Sequence, residues 1–226
     1  MPEQIPFSTD SFADNPEPRC PSLLLLDVSG SMEGDRIREL NNGIQSYSLE
    51  LAQDEVASKR VEVAIVTFGG TVTHAADWCT ADNFAPPTLA AAGNTPMGQA
   101  ISEGLSLIKR RKQTYRDNGI LYYRPWVFLL TDGDPTDSWD HAVSEISEGE
   151  TKREFSFYAV GVQGARKETL KRLNPKREPL MLDGMRFKDL FLWLSRSQAT
   201  ISRSQQGEQV SLANPCGPNG WAVADW

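Results

Sequence analysis

The chain has 226 residues, of which 39% are hydrophobic and 23% charged, so it is too apolar for a disordered protein. Its formal net charge of −7 argues against nucleic acid as a partner, because neutralising phosphates requires a basic face. No apolar run approaches the roughly 20 residues that span a bilayer, and the N-terminus has no secretory pattern. We therefore expect a cytoplasmic protein that has no membrane partner.

The cysteines predict neither a disulfide framework nor a structural zinc site. Cys20, Cys79 and Cys216 are odd in number, far apart and without CxxC spacing. Reduced, mostly buried thiols are the expected state.

The first 21 residues are rich in proline and polar side chains and are predicted to form an arm over the domain. Proline neither continues a helix nor pairs centrally in a sheet, so we expect the first strand to begin only at Ser22. Leu23 to Leu26 show no polar alternation, which is typical of a strand that is buried on both faces. This segment is predicted to be a central parallel strand.

Further elements follow from apolar periodicity. Helices are predicted over 36–54, from 96 onward, over 138–152, over 167–173 and from 187 onward. Strands are predicted over 61–68, 71–73, 126–131, 155–160 and 179–182. This order favours an α/β fold with a doubly wound open, mostly parallel sheet, one short antiparallel edge strand and helices on both faces.

The expected organisation is an arm (1–21), one domain (22–206) and a C-terminal tail (207–226) that drapes over the surface. Trp221 and Trp226 in the tail are either a latch against the domain or a docking peptide. Lys109 to Lys112 are predicted to form a solvated last helical turn.

The motif with the clearest chemistry directly follows the first strand. Asp27-Val28-Ser29-Gly30-Ser31 places a carboxylate and two hydroxyls at every second residue. Gly30 allows a tight bend, so that both hydroxyls converge. Oxygen ligands with no nearby Cys or His favour a hard cation such as Mg²⁺ or Ca²⁺.

Two later segments supply further oxygens at the same predicted edge. Thr95 precedes the second helix, and Asp132 follows the strand that begins near Trp126. In an open α/β sheet, ligands bind outside the carboxyl ends of the strands. Asp27, Ser29, Ser31, Thr95 and Asp132 are therefore predicted to surround one ion.

The Asp-x-Ser-Gly-Ser sequence, the later threonine and Thr131-Asp132-Gly133 together resemble the metal-ion-dependent adhesion site of von Willebrand factor A domains. The resemblance implies that Ser29, Ser31 and Thr95 coordinate the cation and that Asp27 and Asp132 bind it directly or through water. It also implies that an acidic group of a protein partner completes the coordination. Mg²⁺ is the expected ion, with Ca²⁺ or Mn²⁺ as alternatives.

Finer details, including Asn15 to Pro21, Asn41-Asn42-Gly43 and Thr131 to Asp137, look like the bacterial TerY or YegL-type subgroup. That subgroup is associated with tellurium-resistance and stress-response gene sets.

Each part of the constellation also has an ordinary interpretation as a turn or a helix cap, and their joint order is what favours the metal site. Acidic residues at the same edge either strengthen a negative field or form a solvated rim: Glu33, Asp35, Asp134, Asp137 and Asp140. Trp139 is either a partner anchor or a residue packed at a helix start.

Two other function classes compete with a metal-dependent binding module. A Mg²⁺-dependent phosphotransferase would use Asp27 as a nucleophile, but Ser29 stands where such enzymes have a second aspartate, and no GxxxxGK[ST] loop is present. We therefore expect no enzymatic activity. A metal-independent scaffold would bind through the tail or through the edge strand near Thr71.

Overall fold

The structure is a computed structural model that describes residues 12, 14–205, 208–217 and 220–223. In this part of the chain seven strands form one sheet in the order β3-β2-β1-β4-β5-β6-β7. The strands are β1 (Cys20–Asp27), β2 (Val61–Gly69), β3 (Thr71–Thr80), β4 (Trp126–Thr131), β5 (Ser156–Gly161), β6 (Leu180–Leu182) and β7 (Ala222–Val223). Neighbouring strands from β2 across to β6 are parallel, whereas β3 and β7 run antiparallel at the two edges.

Strand β1 lies at the centre of the sheet, as the sequence predicts. The side chains of Leu23 to Leu26 are completely buried. Leu24 and Leu26 pack into the hydrophobic cluster on one face of the sheet, and Leu23 and Leu25 pack into the cluster on the other. An unbroken apolar run is therefore required here, because both faces of this strand are covered.

Helices cover both faces of the sheet. They are α1 (Asp35–Gln53), α2 (Ala57–Arg60), α3 (Met97–Asp117), α4 (Asp140–Thr151), α5 (Lys167–Leu173) and α6 (Phe187–Arg203). Buried side chains of α1 and α6 belong to one cluster, and those of α3, α4 and α5 belong to the other. The predicted doubly wound, mostly parallel fold is thus confirmed.

The first strand begins earlier than the sequence predicts. Pro21 pairs with Glu62 of β2 inside the sheet, although a proline was expected to stop the strand before Ser22. The pairing of β1 with β4 starts only at Ser22. Pro21 is tolerated because it lies near the start of the strand, before the pairing with β4 begins.

The sheet has a longer strand at one edge and an additional strand at the other, compared with the prediction. Strand β3 has ten residues instead of the predicted three, with register irregularities against β2 between Val63 and Val66. Its side chains are exposed or half-buried, so it lacks the apolar signal of an inner strand. Strand β7, in the tail, pairs with Met181 and Leu182 of β6.

The tail packs against the domain through Trp221. This side chain is 2% exposed and lies edge-on to Trp193 of α6, with ring centroids 5.6 Å apart. Of the two interpretations of Trp221, the latch against the domain fits this packing. Trp226 lies outside the described residues.

The basic cluster in α3 is not simply a solvated helical turn. The helix continues to Asp117, and the guanidinium of Arg111 turns inward to the carboxylate of Glu62, with two N–O distances of 2.8 Å. The Glu62 carboxylate also accepts hydrogen bonds from Arg19 Nε (2.9 Å) and the Tyr115 hydroxyl (2.5 Å). Both Arg19 and Glu62 are 1% exposed, so this ion cluster is part of the domain interior.

The three cysteines are free thiols. Cys20 is buried, and burial raises its pKa to about 12. Cys79 and Cys216 are half-buried. Among the helices described, none combines the length and apolar character needed to cross a bilayer.

Candidate metal centre at the carboxyl edge of the sheet

Two aspartates stand at the carboxyl ends of neighbouring parallel strands. Asp27 is the last residue of β1, and Asp132 follows the last residue of β4. Since β1 and β4 pair in parallel, their ends meet at one edge of the sheet. The carboxylates are 0% and 5% exposed by residue, respectively, so both acids are withdrawn from solvent.

The carboxylate of Asp27 is fixed on both oxygens. Oδ1 accepts a hydrogen bond from the backbone N–H of Ser29 (2.8 Å), and Oδ2 accepts one from the Thr131 hydroxyl (2.5 Å). Burial raises the pKa of Asp27, and the charge of Asp132 adds to the effect, while the hydrogen bonds from Ser29 and Thr131 oppose it. Keeping Asp27 ionised therefore costs free energy, and a bound cation would offset that cost.

Two serine hydroxyls link Asp27 to Asp132. Ser29 Oγ and Ser31 Oγ are 3.0 Å apart, and Ser31 Oγ donates to Asp132 Oδ1 at 2.6 Å. This contact joins residues 101 positions apart in the sequence. The hydroxyls converge through a 3₁₀ turn over Gly30–Met32, and Gly30 does not require a positive φ.

Backbone contacts hold the loop that carries Thr95 beside this turn. Gly30 N donates to the carbonyl of Gly93 (2.9 Å), and Gly70 N donates to that of Asn94 (2.8 Å). Gly93 has φ of 76°, and a Cβ there would lie 2.5 Å from Gly70 Cα. Only glycine fits both the conformation and the approach.

Thr95 is also tied to the Asp132 loop. Its N–H donates to Thr136 Oγ1 (3.0 Å), and Thr136 N–H donates to its carbonyl (2.9 Å). The Thr95 hydroxyl lies 3.9 Å from the position that a Cβ on Gly133 would take. The structure therefore brings Asp27, Ser29, Ser31 and Asp132 into one hydrogen-bonded cluster and sets Thr95 at its side.

Sequence reasoning assigned no role to three residues that organise this cluster. Thr131 bonds to Asp27, and Thr136 bonds to Thr95. Arg36 of α1 donates from Nη1 to Asp132 Oδ2 at 2.9 Å and to the Ser31 carbonyl at 2.8 Å. The only signal for Arg36 was a cation in the first turn of a helix, where the helix dipole disfavours positive charge.

Asp137 turns out to be a helix cap supplied by another loop. Its carboxylate accepts hydrogen bonds from the backbone N–H groups of Gly98 (3.0 Å) and Gln99 (2.8 Å) in the first turn of α3. The residue before that helix, Pro96, makes no side-chain cap of its own. Asp137 therefore links the Asp132 loop to the helix that follows Thr95.

Replacing Asp137 with alanine is expected to lower the free energy of unfolding by about 1 kcal/mol, because two N–H groups lose their acceptor. Urea denaturation of the purified variant measures this change. Asp117→Ala, at the other end of α3, is the matched control, and its acid faces the negative end of the helix dipole. Equal stability of the two variants would contradict the capping role.

Three of the other acidic residues at this edge form ion pairs with arginines. Asp134 pairs with Arg166 (2.5 Å) and accepts a hydrogen bond from Thr169 (2.6 Å), and these contacts lower its pKa. Asp35 and Asp140 pair with Arg38 and Arg172. The interpretation as a solvated, paired rim fits these residues better than that of a strong negative field.

Trp139 packs at the start of α4 and is not a free anchor. Its side chain is half-buried against the cluster on that face of the sheet. The Arg172 guanidinium lies over its ring at 4.5 Å from the centroid.

The donor set is suited to a hard divalent cation. It offers two carboxylates and three hydroxyls, all of them oxygen donors of the kind that Mg²⁺ and Mn²⁺ accept. Within the described ranges, no group of three or more His, Cys, Asp or Glu side chains is placed to hold a metal. A site here depends on the hydroxyls of Ser29, Ser31 and Thr95 as much as on the two acids. The guanidinium on Asp132 shows that the cluster already attracts a positive charge.

The family model for the von Willebrand factor type A domain matches residues 23–188. The chain belongs to this family. The match includes both aspartates and all three hydroxyl residues of the candidate site. No curated protein matches this von Willebrand factor A domain by sequence.

Solved structures share the fold at low sequence identity. The pilus adhesin SpaC from Lactobacillus rhamnosus GG aligns with a TM-score of 0.65 and 13% identity, over 81% of this chain and 31% of that one. Manganese-loaded TRAP protein from Plasmodium vivax aligns with a TM-score of 0.52 and 18% identity, over 77% and 73% of the two chains. A von Willebrand factor type A structure from Catenulispora acidiphila gives a TM-score of 0.55 and 14% identity, over 81% and 43%.

This chain spans 30% of SpaC in its open conformation and 47% of proximal thread matrix protein 1 from the mussel byssus. At these identities the likeness establishes the fold alone.

Proposed function

We propose that this von Willebrand factor A domain binds a protein partner through one divalent cation. Asp27, Ser29, Ser31, Thr95 and Asp132 hold the ion at the carboxyl edge of the sheet, and an acidic side chain of the partner completes its coordination. Mg²⁺ is the favoured ion because it keeps exchangeable waters where the protein supplies few carboxylates. Mn²⁺ and Ca²⁺ are the alternatives.

The observation that carries this proposal is the 2.6 Å contact between the Ser31 hydroxyl and Asp132. It shows that two loops far apart in sequence converge, together with the buried carboxylate of Asp27. Domains of this family often act as metal-dependent protein-interaction modules, and one structural neighbour is manganese-loaded. The combination supports an ion as the shared ligand of the cluster.

The packing of Asp27 supports a binding role over catalysis. A nucleophilic aspartate must reach its substrate, yet Asp27 is completely buried, and both of its oxygens accept hydrogen bonds. We therefore propose that Asp27 is not a nucleophile and, because it is the leading catalytic candidate in the sequence, that the chain is not an enzyme.

We also propose a bacterial tellurium-resistance or stress-response system as the cellular setting. This part rests only on the motifs that resemble the TerY or YegL-type subgroup. Comparing proteins captured from tellurite-stressed bacterial cells with Mg²⁺ and with EDTA tests it.

The ion-binding test is calorimetric titration of chelator-treated protein with Mg²⁺ and Mn²⁺. Ser29→Ala removes one hydroxyl ligand, and we expect it to weaken binding about tenfold or more, since one lost oxygen ligand is not replaced within the cage. Ser46→Ala is the matched control, because that serine lies on α1 and bonds only to the Asn42 carbonyl within the helix. Identical titrations of both variants and the wild type would refute the assignment.

A partner-capture experiment separates the scaffold alternative. A partner captured from the native cell in Mg²⁺ should be lost in EDTA if the ion mediates the contact. Capture that survives EDTA but disappears when residues 207–226 are deleted would instead support binding through the tail.

A further inference from the structure

Arg36 brings a positive charge of the protein itself to the candidate ion site. It lies in the first turn of α1, and its Nη1 donates to Asp132 Oδ2 (2.9 Å). The same nitrogen donates to the backbone carbonyl of Ser31 (2.8 Å). The Asp132 side chain is 1% exposed and the Arg36 side chain 31%, so the pair is shielded on the acidic side.

The position of Arg36 is electrostatically unfavourable without this contact. A cation in the first turn of a helix faces the positive end of the helix dipole. Asp35, in the same turn, pairs with Arg38. The ion pair with Asp132 is what offsets the unfavourable placement of Arg36.

Asp132 also has a reason to need a counter-charge. It shares the cluster with the buried carboxylate of Asp27, to which it is linked through Ser29 and Ser31, and two carboxylates in one buried cluster repel each other. Ser31 Oγ engages Asp132 Oδ1, and Arg36 engages Oδ2, so both carboxylate oxygens are already occupied by protein donors. A divalent ion that binds Asp132 must share or replace at least one of these contacts.

We infer that Arg36 is a built-in counter-cation that competes with the divalent ion for Asp132. It stabilises the domain when the ion is removed, and it lowers the affinity for the ion when the ion is present. The inference rests on the proposed function, because it takes the cluster to be the ion site. The fraction of protein that holds an ion would then depend on the competition between the Arg36 guanidinium and the free divalent ion for Asp132.

The test compares Arg36→Gln with Arg38→Gln. Both changes remove one positive charge from the same turn of the same helix, but the exposed Arg38 contacts Asp35 and Glu39, not Asp132. We expect Arg36→Gln to bind Mn²⁺ about five- to tenfold more tightly than the wild type, because one repelling charge has left a shielded site. Arg38→Gln should stay within about twofold, as expected for an exposed charge.

Thermal unfolding provides the second readout. In EDTA, Arg36→Gln should melt several degrees below Arg38→Gln, because two buried carboxylates then lack a cation. In saturating Mn²⁺ the difference should shrink. A variant with a damaged fold would bind the ion more weakly than the wild type. Tighter Mn²⁺ binding together with a lower melting temperature in EDTA therefore identifies the electrostatic role of Arg36.

Three outcomes overturn the inference, and they differ in what else they refute. Wild-type protein that binds neither Mn²⁺ nor Mg²⁺ refutes the proposed function as well. Wild-type binding with Arg36→Gln no tighter than Arg38→Gln refutes the competition alone. Equal melting of the two variants in EDTA refutes the counter-charge role alone.

Discussion

Asp27→Asn is expected to abolish divalent-ion binding while leaving the chelated protein at least as stable as the wild type. The substitution keeps the shape of the side chain and an oxygen that can accept from the Ser29 N–H. It removes the charge that a hard cation requires. We expect an affinity loss of at least about a hundredfold, since this is the most buried anionic ligand of the set.

The stability half of this prediction follows from the pKa of Asp27. Burial raises that pKa above the usual value for an aspartate, so the folded state disfavours the ionised form. Between the unfolded and the folded pKa, the folded protein binds more protons, and its stability falls as the pH rises. At neutral pH the charge of Asp27 is therefore a net cost to folding, and a neutral amide avoids it.

Calorimetry with Mn²⁺ and thermal unfolding in EDTA measure the two halves separately. Asp140→Asn is the matched control, because Asp140 lies at the same edge but is exposed and paired with Arg172. Unchanged ion affinity in Asp27→Asn would contradict the site. A chelated variant that melts well below the wild type would show that the carboxylate is needed for the fold itself.

Glu62→Gln is expected to lower the free energy of unfolding by about 3–5 kcal/mol, the usual cost of removing one partner from a buried ion cluster. The substitution leaves Arg19, which is 1% exposed, beside a neutral amide, and it weakens the contact with Arg111. The amide also presents a donor where the carboxylate accepted hydrogen bonds from four donor atoms.

Urea unfolding of Glu62→Gln measures this loss, and Glu148→Gln provides the control. Glu148 forms an exposed pair with Lys152, the residue that follows α4, so its replacement should leave the midpoint close to that of the wild type. Similar midpoints for the two variants would show that solvent or local rearrangement compensates for the loss at Glu62. Ion binding should be unaffected in the native state, because Glu62 lies near the amino end of β2, away from the Asp27 edge.

The sequence predicted the inner layers of the fold better than its edges. Leu23 to Leu26 identify a doubly buried strand because every position faces a helix layer. Strand β3 carries no such pattern, since one neighbour and open solvent impose few constraints on its side chains. Strand β7 has only two residues, too few for any periodicity.

The candidate site could be predicted only as a set of acidic and hydroxyl positions. Asp27, Ser29, Ser31 and Asp132 converge because β1 and β4 are parallel neighbours. The alternation of strands and helices indicates that the strands are parallel and that their loops share one edge, but it does not give the order of the strands. The roles of Arg36 and Asp137 depend on contacts between loops and helix starts that are distant in sequence. No local pattern records such contacts, because a long side chain can reach any of several neighbours.

The Thr95 loop is anchored to the rest of the edge chiefly through main-chain atoms. Ala92 N donates to the Val28 carbonyl (2.7 Å), in addition to the bonds that involve Gly93 and Asn94. Nearly every residue type has a backbone amide group, so most side chains of this loop are not needed to hold it in place. Related chains could therefore carry different side chains in this loop and select different partners, while the proposed ion site keeps its shape.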